Sequence, residues 1–322
     1  MKNSVTLSTA AEKSANKTNP KSSKTRKYIF RILIALSLGI TSLVLTAHCP
    51  QTPKIAEHTA PLDSIGPIKE HYKELQELSA IPVTERSEMD AIEYPSKAYG
   101  WISALLRPAY LTKKQLEKMY TKLSFPANSS LQTKAELAFL LKLQRERTKE
   151  QAEEILRIND VLYIPTFKSG ESDLFFICSE VMDSAITSAE YPNTKTLLNN
   201  IMKEARITEF RAKNHYMRAR PWQLEPKLEP LKKIETPSFA SGHTLWAYMQ
   251  SYILAELIPT KHEEFINLAY DIGYSREMMG VHYPSDEEAA RLLSYEIIKA
   301  IWATEKFQED FKLAQAEWTD WN

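Results

Sequence analysis

Helical periodicity with almost no glycine is the feature that most restricts this chain. Long stretches such as LQTKAELAFLLKLQRERTKEQ, starting at Leu131, carry Leu, Ala, Glu, Lys and Gln at three- and four-residue spacing. Only 7 of 322 residues are glycine, and few runs show the β-branched alternation of strands. The pattern predicts an all-α protein. With 43% hydrophobic and 25% charged residues the chain can bury the core of one globular domain, with residues left over for a targeting segment.

Charge is unevenly placed although it balances overall. Residues 1–49 hold Lys2, Lys13, Lys17, Lys21, Lys24, Arg26, Lys27 and Arg31 against Glu12, so the remainder is net acidic, which argues against a nucleic-acid partner. The basic stretch precedes YIFRILIALSLGITSLVLTA, whose apolar core from Ile32 to Ala47 is intermediate in length between a signal h-region and a spanning helix. Residues 1–49 therefore read as a basic region plus either a cleaved signal peptide or a retained membrane anchor, with residues 28–47 as the contact to an inner membrane. Either form exports the body of the chain to the periplasm or beyond. Residues 50–66 read as a linker, and residues 67–322 as one all-α domain with no second span. Of the two cysteines, Cys178 sits in an apolar run as a buried thiol, with a disulfide to Cys49 as the alternative.

Predicted helices cover IKEHYKELQEL, LTKKQLEKMYTKL, Leu131 to Arg157, Asp173 to Glu190, Thr194 to about Ala212, His243 to Ile258, Lys261 to about Gly280, and Ser285 to Trp318. Ser285 with Glu288 three places on has the form of a capping box at the start of the last helix.

Three segments put chemistry at helix ends. In SREMMGVHYPSD, Arg276 and His282 would point apart on one continuous helix, but Gly280 and the Tyr283-Pro284 pair break it and let them converge. Asp286 then reaches one ring nitrogen of His282, fixing its tautomer and leaving the other nitrogen free. KNHYMRARP supplies Lys213 and Arg220 with Arg218 between them, a set equally compatible with a solvated basic face. SFASGHT places Ser241, Gly242 and His243 at a helix start, which can be a plain N-cap or a nest of N–H groups aimed at an anion.

Lys213 with six residues to Arg220-Pro221, then Ser241-Gly242-His243, then Ser275-Arg276 with five to His282 and three to Asp286, resembles the signature of the type 2 phosphatidic acid phosphatase superfamily. NSSLQTKAELAFLLKLQRERTKEQ and DEEAARLL are similar to the bacterial class A non-specific acid phosphatases within it, so the resemblance runs from about Ala127 onward. Two positions depart from the pattern. Ala240 replaces the proline before Ser-Gly-His, with Pro237 three residues earlier, and Ala290 replaces the glycine before Arg291.

The resemblance implies a helical bundle with its active site at helix ends and a metal-free phosphomonoesterase of broad specificity. His282, held by Asp286, would attack phosphorus and become a phosphohistidine. Lys213, Arg220, Arg276 and the N–H groups near Ser241 and Gly242 would hold the phosphate oxygens, and His243 would act as general acid and then base. His215, inside the first motif, reads as a surface or core residue. No cofactor is implied. Vanadate fits the same anion site, as an inhibitor or as the cofactor of the alternative, a haloperoxidase; a lipid phosphate phosphatase at the membrane surface and a non-enzymatic scaffold are the other readings.

Overall fold

A computed structural model describes residues 65, 68–83, 87–96, 100–161 and 173–321. The basic region, the apolar segment, Cys49 and nearly all of the linker lie outside the described residues. Twelve α-helices follow in order among those described: α1 Glu70–Glu77, α2 Gly100–Leu105, α3 Lys113–Tyr120, α4 Leu131–Glu146, α5 Lys149–Asp160, α6 Phe176–Met182, α7 Pro192–Tyr216, α8 Pro221–Leu224, α9 Gly242–Leu257, α10 His262–Met279, α11 Pro284–Trp302 and α12 Glu305–Gln315. No strand is present among the described residues. An isolated antiparallel bridge joins Glu93 to Arg218.

α9 is the centre of the bundle. Its sequence is apolar on all sides, as a fully buried helix requires, and every residue except His243 and Glu256 is buried. It packs against α7, α10 and α11, while α12 folds back onto α7. Cys178 is buried on α6, and no described helix is long and apolar enough to cross a membrane.

Helix boundaries differ from the predicted ones where local hydrogen bonding outranks periodicity. The stretch predicted as one helix over Leu131 to Arg157 divides at Arg147, which is extended. Thr148 caps α5 by accepting from the Gln151 N–H while the Gln151 side chain accepts from the Thr148 N–H. The prediction over Asp173 to Glu190 shrinks to α6, because Asp183 takes a left-handed conformation with φ of 52°. The final stretch divides at Thr304, whose hydroxyl donates back to the Ile301 carbonyl, and Trp302 then packs on Phe307 and Phe311 of α12. α7 instead runs a turn past Ala212, which brings Lys213 onto the helix; Met217, with φ of 47°, ends it.

Ser285 is not a cap. Pro284 occupies the first position of α11, where its missing N–H costs nothing, so Tyr283 is the N-cap and Asp286 the third helical residue. Asp286 Oδ2 accepts from the Tyr283 N–H at 3.0 Å. The Ser285 hydroxyl donates to Glu136 on α4 at 2.9 Å.

Candidate active site

The eight residues singled out in the sequence stand on the ends of four helices or in the turns beside them. Lys213 is in the last turn of α7 and Arg220 immediately precedes α8. Ser241, Gly242 and His243 open α9, Arg276 lies in the last turn of α10, His282 in the next turn, and Asp286 in the first turn of α11. Gly280 makes the corner between α10 and α11. It is left-handed with φ of 78°, a conformation that costs a residue with a Cβ about 1–2 kcal/mol.

His282 is held from both ring nitrogens. Its Nδ1 is 3.1 Å from Asp286 Oδ2 and its Nε2 is 3.0 Å from Arg220 Nη1. A guanidinium only donates, so Nε2 carries the lone pair and Nδ1 the proton given to Asp286. The tautomer therefore follows from the partners. Burial first, then the Arg220 charge, pushes the His282 pKa well below its ordinary value, against the opposing pull of Asp286.

Asp286 is the hub. Its Oδ1 accepts from Arg218 at 2.6 Å, and its Oδ2 accepts from Ser238 at 2.5 Å as well as from the Tyr283 N–H. Burial alone would raise its pKa, but Arg218, His282 and Ser238 outweigh burial and hold the carboxyl well below the usual range. Arg218, read in the sequence as compatible with a solvated face, is instead wholly buried. Its guanidinium lies over the rings of Tyr283 and Phe125, and its Nη2 is 3.6 Å from Glu136 Oε2. Burial lifts the Glu136 pKa to about 7 against the pull of Arg218.

The cations form a cradle. Lys213 Nζ donates to the Pro237 and Ser238 carbonyls at 2.8 and 3.2 Å, and burial together with the neighbouring Arg220 lowers its pKa to about 7. Arg220 donates to the Thr236 carbonyl through Nε, to its hydroxyl through Nη2, and to the Val281 carbonyl through Nη1. Arg276 Nη1 donates to Asn159 Oδ1 at 2.9 Å, while its buried Nε has no hydrogen-bond partner. Burial lowers the pKa of Arg220 and of Arg276 to about 10. Three desolvated cations with an unused buried donor suit a tetrahedral oxyanion.

The helix start contributes differently from expectation. Ser241 caps α9, but its N–H already donates to the Asp286 carbonyl at 3.4 Å, which takes this donor out of the expected nest. His243 Nε2 lies 3.2 Å from the Asn159 carbonyl, which can only accept, so Nε2 carries a proton. Burial, then Arg276, lowers the His243 pKa well below its ordinary value, leaving the ring neutral. His215 is exposed, with its ring against Tyr120 and Tyr216.

Sequence reasoning missed Arg218 as a buried partner, and also Glu136, Ser238 and Asn159. Glu136 carried a readable signal: it falls in register with Thr133, Leu137 and Leu140 on the buried face of α4, where a carboxylate needs a partner. A cavity of about 30 Å³ bounded by Thr244, Gly273, Glu277 and Glu287 is lined by none of the eight residues and is the size of a water site, not a substrate site.

Comparison with known proteins matches residues 195–309 to the PAP2 superfamily. The chain is 28% identical over 145 residues to a non-specific acid phosphatase of Providencia stuartii, covering 43% of this chain and 58% of that protein. It is 34% identical over 131 residues to an acid phosphatase of Zymomonas mobilis, covering 37% of this chain and 49% of that protein. The chain thus spans about half to three-fifths of the length of these curated relatives. Among solved structures, a bacterial vanadium-dependent iodoperoxidase matches with a TM-score of 0.42 at 16% identity, covering 56% of this chain and 50% of that one. All eight candidate residues fall within the segment, residues 195–309, that matches the PAP2 superfamily.

Proposed function

We propose that the protein is a phosphomonoesterase of the non-specific acid phosphatase type, acting through a phosphohistidine at His282. The observation that carries this reading is the two-sided hold on His282. Asp286 accepts the Nδ1 hydrogen bond, and the Nε2 lone pair meets the Arg220 guanidinium.

In the proposed reaction a substrate oxygen takes the Arg220 donor away from Nε2, and the freed lone pair attacks phosphorus in line with the leaving alkoxide. The P–O bond breaks as the P–Nε2 bond forms. Asp286 stabilises the positive ring, and Lys213, Arg220 and Arg276 hold the equatorial oxygens. A bound phosphate ester anion raises the pKa of the nearby His243, which in the empty site is held down by burial and by Arg276. The ring then protonates the leaving oxygen, and as a neutral base it takes a proton from the water that releases phosphate.

The cations meet the charge requirement of this sequence, so turnover is expected in the presence of chelators. The acid phosphatases to which the chain is similar support the substrate class. Residues 28–47 suit export or anchoring, which would place the site outside the cytoplasm. The test is hydrolysis of p-nitrophenyl phosphate by the purified chain with EDTA present, alongside bromide oxidation with vanadate and peroxide. Oxidation without hydrolysis would replace this reading by the haloperoxidase one.

A further inference from the structure

The proposed reaction leaves Glu209 without a role. Glu209 stands on α7 four residues before Lys213, so one helical turn sets both side chains on the same face. Its carboxylate lies hard against Gly242: a Cβ at that position would collide with both carboxylate oxygens. Gly242 is the first residue of α9, at the helix start that borders the cradle. Arg206, itself buried, donates to Glu209 Oε2 at 2.5 Å and holds the carboxylate there. The Glu209 charge is felt at Lys213, Arg220 and Arg276 alike. A carboxylate therefore stands at the edge of a cradle whose Lys213, Arg220 and Arg276 side chains only donate.

That placement divides tetrahedral oxyanions into two classes. A fully deprotonated dianion would set its own acceptor oxygen against the carboxylate, a repulsive contact between desolvated charges. A singly protonated anion can donate its O–H to Glu209 while its remaining oxygens take the cations. Phosphate monoesters, with a second pKa of about 6, retain that proton in mildly acidic solution. Sulfate has none to give. We propose that Glu209 makes the site selective for a protonated tetrahedral oxyanion, so that it takes phosphate and phosphate monoesters as monoanions and rejects sulfate. The proposal rests on reading the cradle as a phosphoryl site.

The test is calorimetric titration of the purified full chain with inorganic phosphate and with sulfate at pH 6, which needs no turnover. Wild type should bind phosphate at least about 100-fold more tightly than sulfate, as expected of a buried acceptor built for a donor that the rejected ligand lacks. Glu209→Gln, whose amide can donate to an oxyanion, should bind sulfate at least about tenfold more tightly than wild type, shrinking the preference. Glu209→Ala, which removes the acceptor without adding a donor, should shift selectivity in the same direction and serves if the Gln variant does not fold. Comparable binding of both anions by wild type, or undiminished selectivity in the folded variant, would overturn the role of Glu209 while leaving the phosphoryl site intact. Failure of wild type to bind either anion would overturn both.

Discussion

Arg218 donates to Asp286 across 2.6 Å with neither side chain exposed, and the same guanidinium faces Glu136 on its other side. One cation thus serves two buried carboxylates. Asp286, with the shorter contact and three further donors, keeps its charge; Glu136 is the carboxyl that burial drives toward its protonated form.

Arg218→Met should destabilise the protein by about 3–5 kcal/mol, because it leaves a buried carboxylate without its countercharge. In whatever folded fraction remains, turnover should fall more than phosphate affinity, since the cradle cations are separate residues. Arg218→Lys should recover part of the stability but less of the rate, because an ammonium cannot reproduce the fork that fixes Asp286. Urea unfolding and steady-state kinetics check both; a Lys variant with full activity would show that charge alone suffices.

His282→Ala should abolish turnover and acid-labile phosphate labelling of the protein together. His243→Ala should instead retain labelling with an aryl phosphate whose leaving group needs no proton, and lose most activity toward alkyl phosphates. Equal hydrolysis of the aryl ester by wild type and His282→Ala would remove His282 as the nucleophile.

Phosphate binding should take up protons near pH 8. Lys213, with a pKa of about 7 in the empty site, is largely neutral there, and an anion beside it favours the charged form. Affinity should therefore weaken as pH rises past 7, more steeply than phosphate's own ionisation requires. Lys213→Arg, charged throughout, should lose the excess slope. Calorimetry at pH 8 in two buffers of different ionisation enthalpy reads the uptake directly, and no buffer dependence would refute it.

The two carboxylates of the Arg218 network predict opposite pH effects on stability. Asp286 has a lowered pKa in the fold, so its contribution is present above its unfolded value near 3.9 and fades as pH falls through the folded one. Glu136 has a raised pKa, about 7 against 4.5, so its contribution is full below the ordinary glutamate range and fades as pH rises through 7. Glu136→Gln, which cannot ionise, should lose less stability between pH 4.5 and 8 than wild type. Parallel denaturation curves at the two pH values would contradict the buried proton.

Gly280→Ala should cost about 1–2 kcal/mol from its left-handed backbone alone and lower turnover, because His282 sits two residues beyond that corner. Melting curves and kinetics measure the two effects separately.

The helical class and the grouping of the eight candidate residues were legible because both rest on spacing: periodicity for the bundle, and the breaks at Gly280 and Pro284 for the convergence of Arg276, His282 and Asp286. What stayed hidden depended on partners distant in sequence. Arg218 looks the same in a sequence whether it faces solvent or Asp286, and nothing local to Asn159 says that its side chain meets Arg276 and its carbonyl His243. The Ser285 cap was misread for a local reason. The Ser-x-x-Glu pattern was present, but Pro284 already held the first helical position, and that rule takes precedence.

Glu136 lies 59 residues before the start of the matched segment, yet its oxygens accept from the Ser285 N–H and hydroxyl at the head of α11. The buried network around Asp286 and Arg218 is therefore wider than the segment that matches the PAP2 superfamily. A fragment beginning at residue 195 would carry all eight candidate residues and still lack the hydrogen-bond acceptor that α4 brings to the head of α11. Transplanting the three motifs onto another scaffold would face the same deficit: the candidate residues stand on or beside α7 to α11, but the acceptor that holds the head of α11 comes from a helix outside that set.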